Sequence, residues 1–193
     1  MKKKFFNPFE IFSEKKLLVV GIFSACVLIL LSVCFNTRFF GILNVEFLNS
    51  VRPEKMLFEQ GVTLFISTIL FYCLGYYFNS KTRFIDVLNV ILISRIPFLI
   101  VPVLNVNNHF SEVSKRYLGM FLTTNPTKPL DGDLIFLMLC AIPILIAFVL
   151  FFVLLFNGFK TATNAKGNKA ILFFAITVIL LDISIKLLFK LLN

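Results

Sequence analysis

One histidine, four cysteines and ten acidic side chains are all that this 193-residue chain offers for metal, redox or acid–base chemistry. The cysteines, Cys26, Cys34, Cys73 and Cys140, fall singly inside apolar runs, with no C-x-x-C and no Cys/His spacing. That excludes a disulfide framework and a zinc site and makes them small hydrophobes. His109 stands alone in a polar link, which suits an interfacial residue better than a ligand or base. There is no H-E-x-x-H, no phosphate-cradling glycine loop, no Ser/His/Asp set at matched depth and no carboxylate pair within an apolar run. No catalytic, metal or cofactor residue is therefore assigned. Nor is there an internal repeat of the kind that marks paired transporter halves.

What the chain has in excess is apolar length. Hydrophobic residues make up 59% of it, and the mean hydropathy is +0.93, far from a soluble domain. Five runs stand out, near 17–35, 56–78, 84–106, 134–156 and 170–192. At 1.5 Å of rise per residue, each is long enough to cross a hydrocarbon core about 30 Å thick. The expected fold is an all-α bundle of five transmembrane helices with short interfacial helices, preceded by a basic and aromatic segment over residues 1–16.

The formal charge of +9 comes from 19 Lys and Arg residues that are scattered over ends and links rather than gathered on one face. Membrane topology explains that distribution better than nucleic acid does. Lys2, Lys3, Lys4, Lys15, Lys16, Lys81, Arg83, Lys160, Lys166 and Lys169 fall on one side of a five-span arrangement. Arg38, Arg52, Lys55, Lys115, Arg116 and Lys128 fall on the other, a count of ten against six. The positive-inside rule then puts the N-terminus inside and the C-terminus outside. A cleaved lipoprotein signal ending at Cys26 is the alternative, disfavoured because the apolar run continues for nine residues beyond it.

The links carry their own signals. In "NPFEIFSEKK", Asn7 suits a cap, Pro8 the first helical position and Glu10 a capping box. Phe5, Phe6, Phe9 and Phe12 recur at helical spacing beside Lys15 and Lys16, as in a surface anchor or the wetted start of the first span. "NTRFFGILNVEFLNSVRPEK" mixes aromatics with polar residues and is expected to lie along the outer interface. "NSKTR" predicts a tight inner turn joining the second and third spans as a hairpin. Phe110, Val113, Tyr117, Met120 and Phe121 predict an amphipathic outer helix, broken by Pro126 and Pro129.

The sharpest question lies in "RFIDVLNVILISRIPFLIVPVLNV". An arginine at the centre of a spanning helix costs about 2.5–3.5 kcal/mol on insertion scales and usually finds a partner. Arg95 lies eleven residues past Phe84, and Asp182 twelve past Ala170, so that both sit about 16–18 Å into helices running the same way. An Arg95–Asp182 ion pair is the expectation. Its competitor is a local Asp182–Lys186 pair, four residues apart on one helical face. Ser94, Pro97 and Pro102 predict a kink beside Arg95, and Pro143 a kink in the fourth span. The cluster reads better as helix-to-helix glue than as a proton or ion relay, because one pair does not make a chain of ionisable groups.

The pieces "NPFEIF", a hairpin of spans two and three with a short basic turn, and "FIDVLNVILISRIPFLI" with Ser94 followed by Pro97, resemble the Yip1-domain family of small five-span membrane proteins, especially its bacterial members. Arg95 departs from that pattern, standing where members usually carry a small or apolar residue. The resemblance implies a noncatalytic protein of the bacterial cytoplasmic membrane, whose partners are the bilayer and a membrane protein or a second copy of itself. Eukaryotic members bind Rab-type GTPases through a long cytosolic N-terminal region. The short basic tail here argues against that activity and for a scaffold, accessory or assembly factor. The rival reading is a small transporter or channel subunit with a polar path at Arg95 and Asp182. A lipid-directed enzyme using His109 and the acids of the outer link is a weaker third.

Overall fold

The apolar runs become helices where local signals let them start. In the computed structural model, which describes residues 7–122, 131–165 and 167–192, a single 3-10 turn (Pro8–Glu10) leads into α1 (Glu14–Cys34) behind an extended Ser13. Helix α2 (Pro53–Phe78) opens on a proline, whose missing N–H would have had no helical acceptor anyway. Helices α3 (Phe84–Ser94), α4 (His109–Leu122), α5 (Asp131–Thr163) and α6 (Asn168–Leu192) follow. Four helices, α1, α2, α5 and α6, are long and apolar enough to cross a membrane. A fifth crossing exists only if the bent pair built on α3 and the segments after it counts as one span, with a break of 42°.

That bend has a covalent origin. Proline disfavours helical backbone in the residue before it and cannot donate to the i−4 carbonyl, so α3 stops just ahead of Pro97. The chain continues as 3-10 helix over Ile96–Ile100 and Pro102–Asn108, the second piece interrupted by non-helical backbone at Asn105, Val106 and Asn107. Its bonds run three residues back: Arg95 N–H to the Leu92 carbonyl, Phe98 to Arg95, Val101 to Phe98 and Leu104 to Val101, at 3.0–3.3 Å. The expected single helix over 84–106 is thus corrected to eleven residues of α-helix and two 3-10 pieces. Pro143, in contrast, lies inside α5, which is assigned as one helix through it.

Helix α3 is the hub. Val87, Asn89, Val90, Ile91, Leu92, Ile93 and Ser94 are all buried, against α1 on one side and α2 and α5 on the others. Helix α6 packs along α2. Phenylalanine rings fill the seams: Phe71 of α2 meets Phe159 of α5 and Phe174 of α6, with ring centres 5.8 and 5.6 Å apart. Phe98 sits between Phe148 and Phe151 of α5. Offset and edge-on ring pairs add about 0.5–1.5 kcal/mol each beyond the area they bury.

The link after α1 does not merely lie on the surface. It forms an antiparallel hairpin, β1 (Thr37–Phe39) with β2 (Val45–Phe47), in the register Thr37 to Phe47, Arg38 to Glu46 and Phe39 to Val45. Phe39 and Ile42 join the buried core, and Phe39 lies 5.6 Å from the Phe98 ring. The all-α architecture holds, with this two-stranded hairpin as an addition to it. The expected amphipathic helix is present as α4, with Val113 fully buried. Phe5, Phe6, Lys2, Lys3, Lys4, Pro126, Lys128 and Pro129 lie outside the described residues, as does Lys166.

At the end of the bundle that carries the N-terminus, the chain enters over α5. Asn7 makes no capping bond; its side-chain amide instead donates to Thr161 Oγ1 at 3.3 Å. Asn7 holds the N-cap position without the expected capping bond, and the Phe9 ring packs against Gly158 of α5. A Cβ built on Gly158 would come within 2.6 Å of the Phe9 ring and 2.7 Å of a Val90 methyl. Gly158→Ala should therefore lower stability by about 1–3 kcal/mol through overpacking, read as a reduced thermal midpoint of the detergent-purified protein.

Candidate functional site: buried polar ties and a cavity at the N-terminal face

Polar side chains on α2 turn inward. Glu59, Gln60, Thr63, Ser67 and Thr68 are buried, at three- and four-residue spacings that place them along one side of the helix. Glu59, 1% exposed, receives Arg38 from the hairpin through two bonds: Nε to Oε2 at 2.7 Å and Nη2 to Oε1. A second carboxylate, Glu46 on β2, accepts from Arg38 Nη1 at 3.3 Å. The bond to Glu59 holds the Arg38 guanidinium above its ordinary range, against the opposing pull of burial. A two-pronged arginine–carboxylate contact fixes orientation as well as charge.

Asp182, 6% exposed, does not meet Arg95. One oxygen, Oδ2, lies 2.6 Å from Lys186 Nζ. The other, Oδ1, accepts the backbone N–H of Leu43 at the hairpin tip, at 3.2 Å. Equal depth follows from rise per residue, but a helix face also has to agree, and α6 turns Asp182 to the hairpin. The tip fits closely. Gly41 has φ of +90°, and a Cβ there would sit 2.9 Å from Asp182 Oδ1. Only glycine adopts that backbone without strain.

Arg95, 7% exposed, caps the end of α3 and donates from Nη1 to Gln60 Oε1 at 2.7 Å. Among the described residues it has no ion pair. Ser94 donates to the Ile91 carbonyl at 3.0 Å, consistent with a packed kink. His109 begins α4, its ring 4.8 Å from Phe136.

The sequence reading missed the fasteners on this side. Asn105, fully buried, donates to the carbonyls of Phe35 at 2.7 Å and Leu48 at 3.4 Å, and accepts from the Ser111 N–H at 3.0 Å. Asn36 bonds Asn108 at 2.9 Å and accepts from the Val51 N–H at 3.1 Å. Together they join α1, the hairpin, the second 3-10 segment and α4. A signal existed: asparagines at a helix end, where left-handed backbone is needed, and Asn36, Asn107 and Asn108 all have positive φ.

At the opposite end, two adjoining cavities open between the N-terminal turn, α3 and α5. One, of about 380 Å³, is walled by Phe12, Glu14, Arg83, Asp86, Asn89 and Asn164 among others. Its neighbour, of about 260 Å³, shares Thr161 and Asn164 and adds Lys160. Arg83 bridges Glu14 at 2.7 Å and Asp86 at 2.9 Å. Bonding to Asp86 first, and to Glu14 second, raises the Arg83 guanidinium above its ordinary range. Asn89 Nδ2 donates to the Glu14 carbonyl at 3.3 Å.

No family model, curated protein or solved structure matches the chain.

Two substitution sets check the ties. Glu59→Gln leaves Arg38 without its buried charge partner and should cost about 3–5 kcal/mol, whereas Arg38→Leu with Glu59→Leu should recover most of that loss. Asp182→Asn keeps an acceptor for Leu43 and should be milder than Asp182→Leu. Exchanging the charges of residues 95 and 182 should rescue nothing. Thermal denaturation in one detergent ranks all of these variants.

Proposed function

We propose that this chain is a noncatalytic integral membrane protein, similar to the Yip1-domain family, that serves a partner membrane protein as scaffold, accessory or assembly factor in a bacterial cytoplasmic membrane. The observation that carries this reading is the use made of interior charge. Arg38 with Glu59 and Asp182 with Leu43 tie a hairpin to helices, which is the work of fixing shape. Outside, Leu139, Leu145, Ile179, Leu180 and Leu187 of α5 and α6 stand exposed. Side chains of that kind meet lipid tails or another apolar helix. The excess of Lys and Arg at the N-terminal end favours that end in the cytoplasm.

A second reading, a small transporter or channel subunit, draws on Arg95. A buried guanidinium held, among the described residues, only by a neutral amide is the kind of intramembrane charge that marks polar paths.

Accessibility separates the two. The scaffold reading first requires resistance to alkaline carbonate extraction. With Cys26, Cys34, Cys73 and Cys140 replaced, single cysteines at positions 93, 96 and 99 should then react slowly with a membrane-impermeant maleimide from either side, compared with Lys81→Cys on the polar turn. Rapid labelling at those positions from one side would replace the scaffold with the transporter.

A further inference from the structure

The larger cavity at the N-terminal face has an uneven chemistry. Glu14 and Asp86 contribute two carboxylates to its wall and Arg83 one cation, leaving a net negative lining. Asn89, 2% exposed, forms part of the same wall. Its Oδ1 is buried and meets no donor among the described residues. A buried oxygen left without a donor costs about 1–3 kcal/mol, so the wall favours an occupant that is positively charged and carries N–H groups. The adjoining cavity carries Lys160 on its wall together with Glu10; Lys160 has no salt bridge among the described residues, and its Nζ stands 5.9 Å from the Phe156 ring centre. Phe9, Phe12 and Leu17 add apolar wall.

A ligand with a cationic N–H donor for the first cavity, an anion for the lysine of the second and an apolar continuation fits this lining. We propose that this paired cavity binds a phosphoethanolamine headgroup of a membrane lipid, its primary ammonium toward Glu14, Asp86 and Asn89 and its phosphate toward Lys160. In this arrangement the Asn89 amide turns its oxygen toward the ammonium and gives up the 3.3 Å bond from Nδ2 to the Glu14 carbonyl. A trimethylated choline headgroup carries the same charges but no N–H, so it satisfies the carboxylates and leaves the asparagine unmet. The inference rests on the membrane reading given above, and it adds a specific lipid to a protein otherwise defined by its contacts.

Native mass spectrometry of the full chain in detergent tests this, with phosphatidylethanolamine, phosphatidylcholine and phosphatidylglycerol of identical acyl chains. The ethanolamine lipid should be retained about tenfold over the choline lipid, the worth of one charge-assisted hydrogen bond. Asn89→Leu should bring the two within about twofold, on the same scale. Glu14→Gln with Asp86→Asn, on exposed or half-buried positions that tolerate change, should do the same, and covers the case in which Asn89→Leu does not fold. Ser184→Ala, on the far half of α6, should leave the preference intact. Equal retention of the two lipids, or a preference that survives both sets of changes, overturns the proposal. So does free glycerophosphoethanolamine displacing the lipid at equal concentration, which would assign the site to a soluble ligand. Carbonate extraction is scored separately, so that loss of the membrane reading and loss of headgroup selectivity are different results.

Discussion

The contact between Arg38 and Glu59 decides where the rest of the hairpin end can go. Neither residue could be left alone there: an unpaired carboxylate on the inward side of α2 is too costly, and Arg38 supplies two parallel donors. Once joined, they set β1 against α2. Phe39 then falls on Phe98, Phe40 on Phe189, and the tip on Asp182. A hairpin of two three-residue strands has little stability of its own. Here it persists because helices satisfy its edges and charges.

The break after α3 serves the same end of the molecule. A continuous helix would carry its apolar faces around at 100° per residue. The prolines instead redirect the chain into 3-10 segments and on to α4, where Asn105 and Ser111 close the turn. The polar fasteners of this region gather where segments meet: at the end of α1, the hairpin and the start of α4. The N-terminal end is built differently, with a charged triad at the surface and open cavities between elements. One end of the bundle is stapled shut and the other has room.

Much of this was written in the order of the residues. Apolar length located every long helix, helical spacing of Phe110, Val113 and Tyr117 located α4, and Pro97 with Pro102 located the break. The Asp182–Lys186 pair was visible as an i, i+4 spacing. What was not visible had physical reasons. The hairpin strands are three residues long, too short for alternation to rise above the surrounding aromatics. Glu59 lies inside the second apolar run, near 56–78, but the arginine that meets it comes from the hairpin and not from a neighbouring turn of the helix. The Arg95–Asp182 pairing failed since depth fixes one coordinate of a side chain and rotation about the helix fixes another. Gln60 was overlooked because a neutral amide seldom announces itself as the partner of a buried cation.

The prolines of the third segment have a further effect on how the chain presents itself. A 3-10 helix turns three residues per revolution, so its side chains stack in columns. Arg95, Phe98 and Val101 form a buried column, while Ile100 and Val103 stand in an exposed one. The segment is a three-sided prism rather than a cylinder. Apolar residues repeating every third position carry no amphipathic signature at the α-helical period, and a one-residue insertion there would rotate everything beyond it by a full side of the prism. Arg95 heads the inward column, and that register is what gives a lone arginine its place inside the bundle.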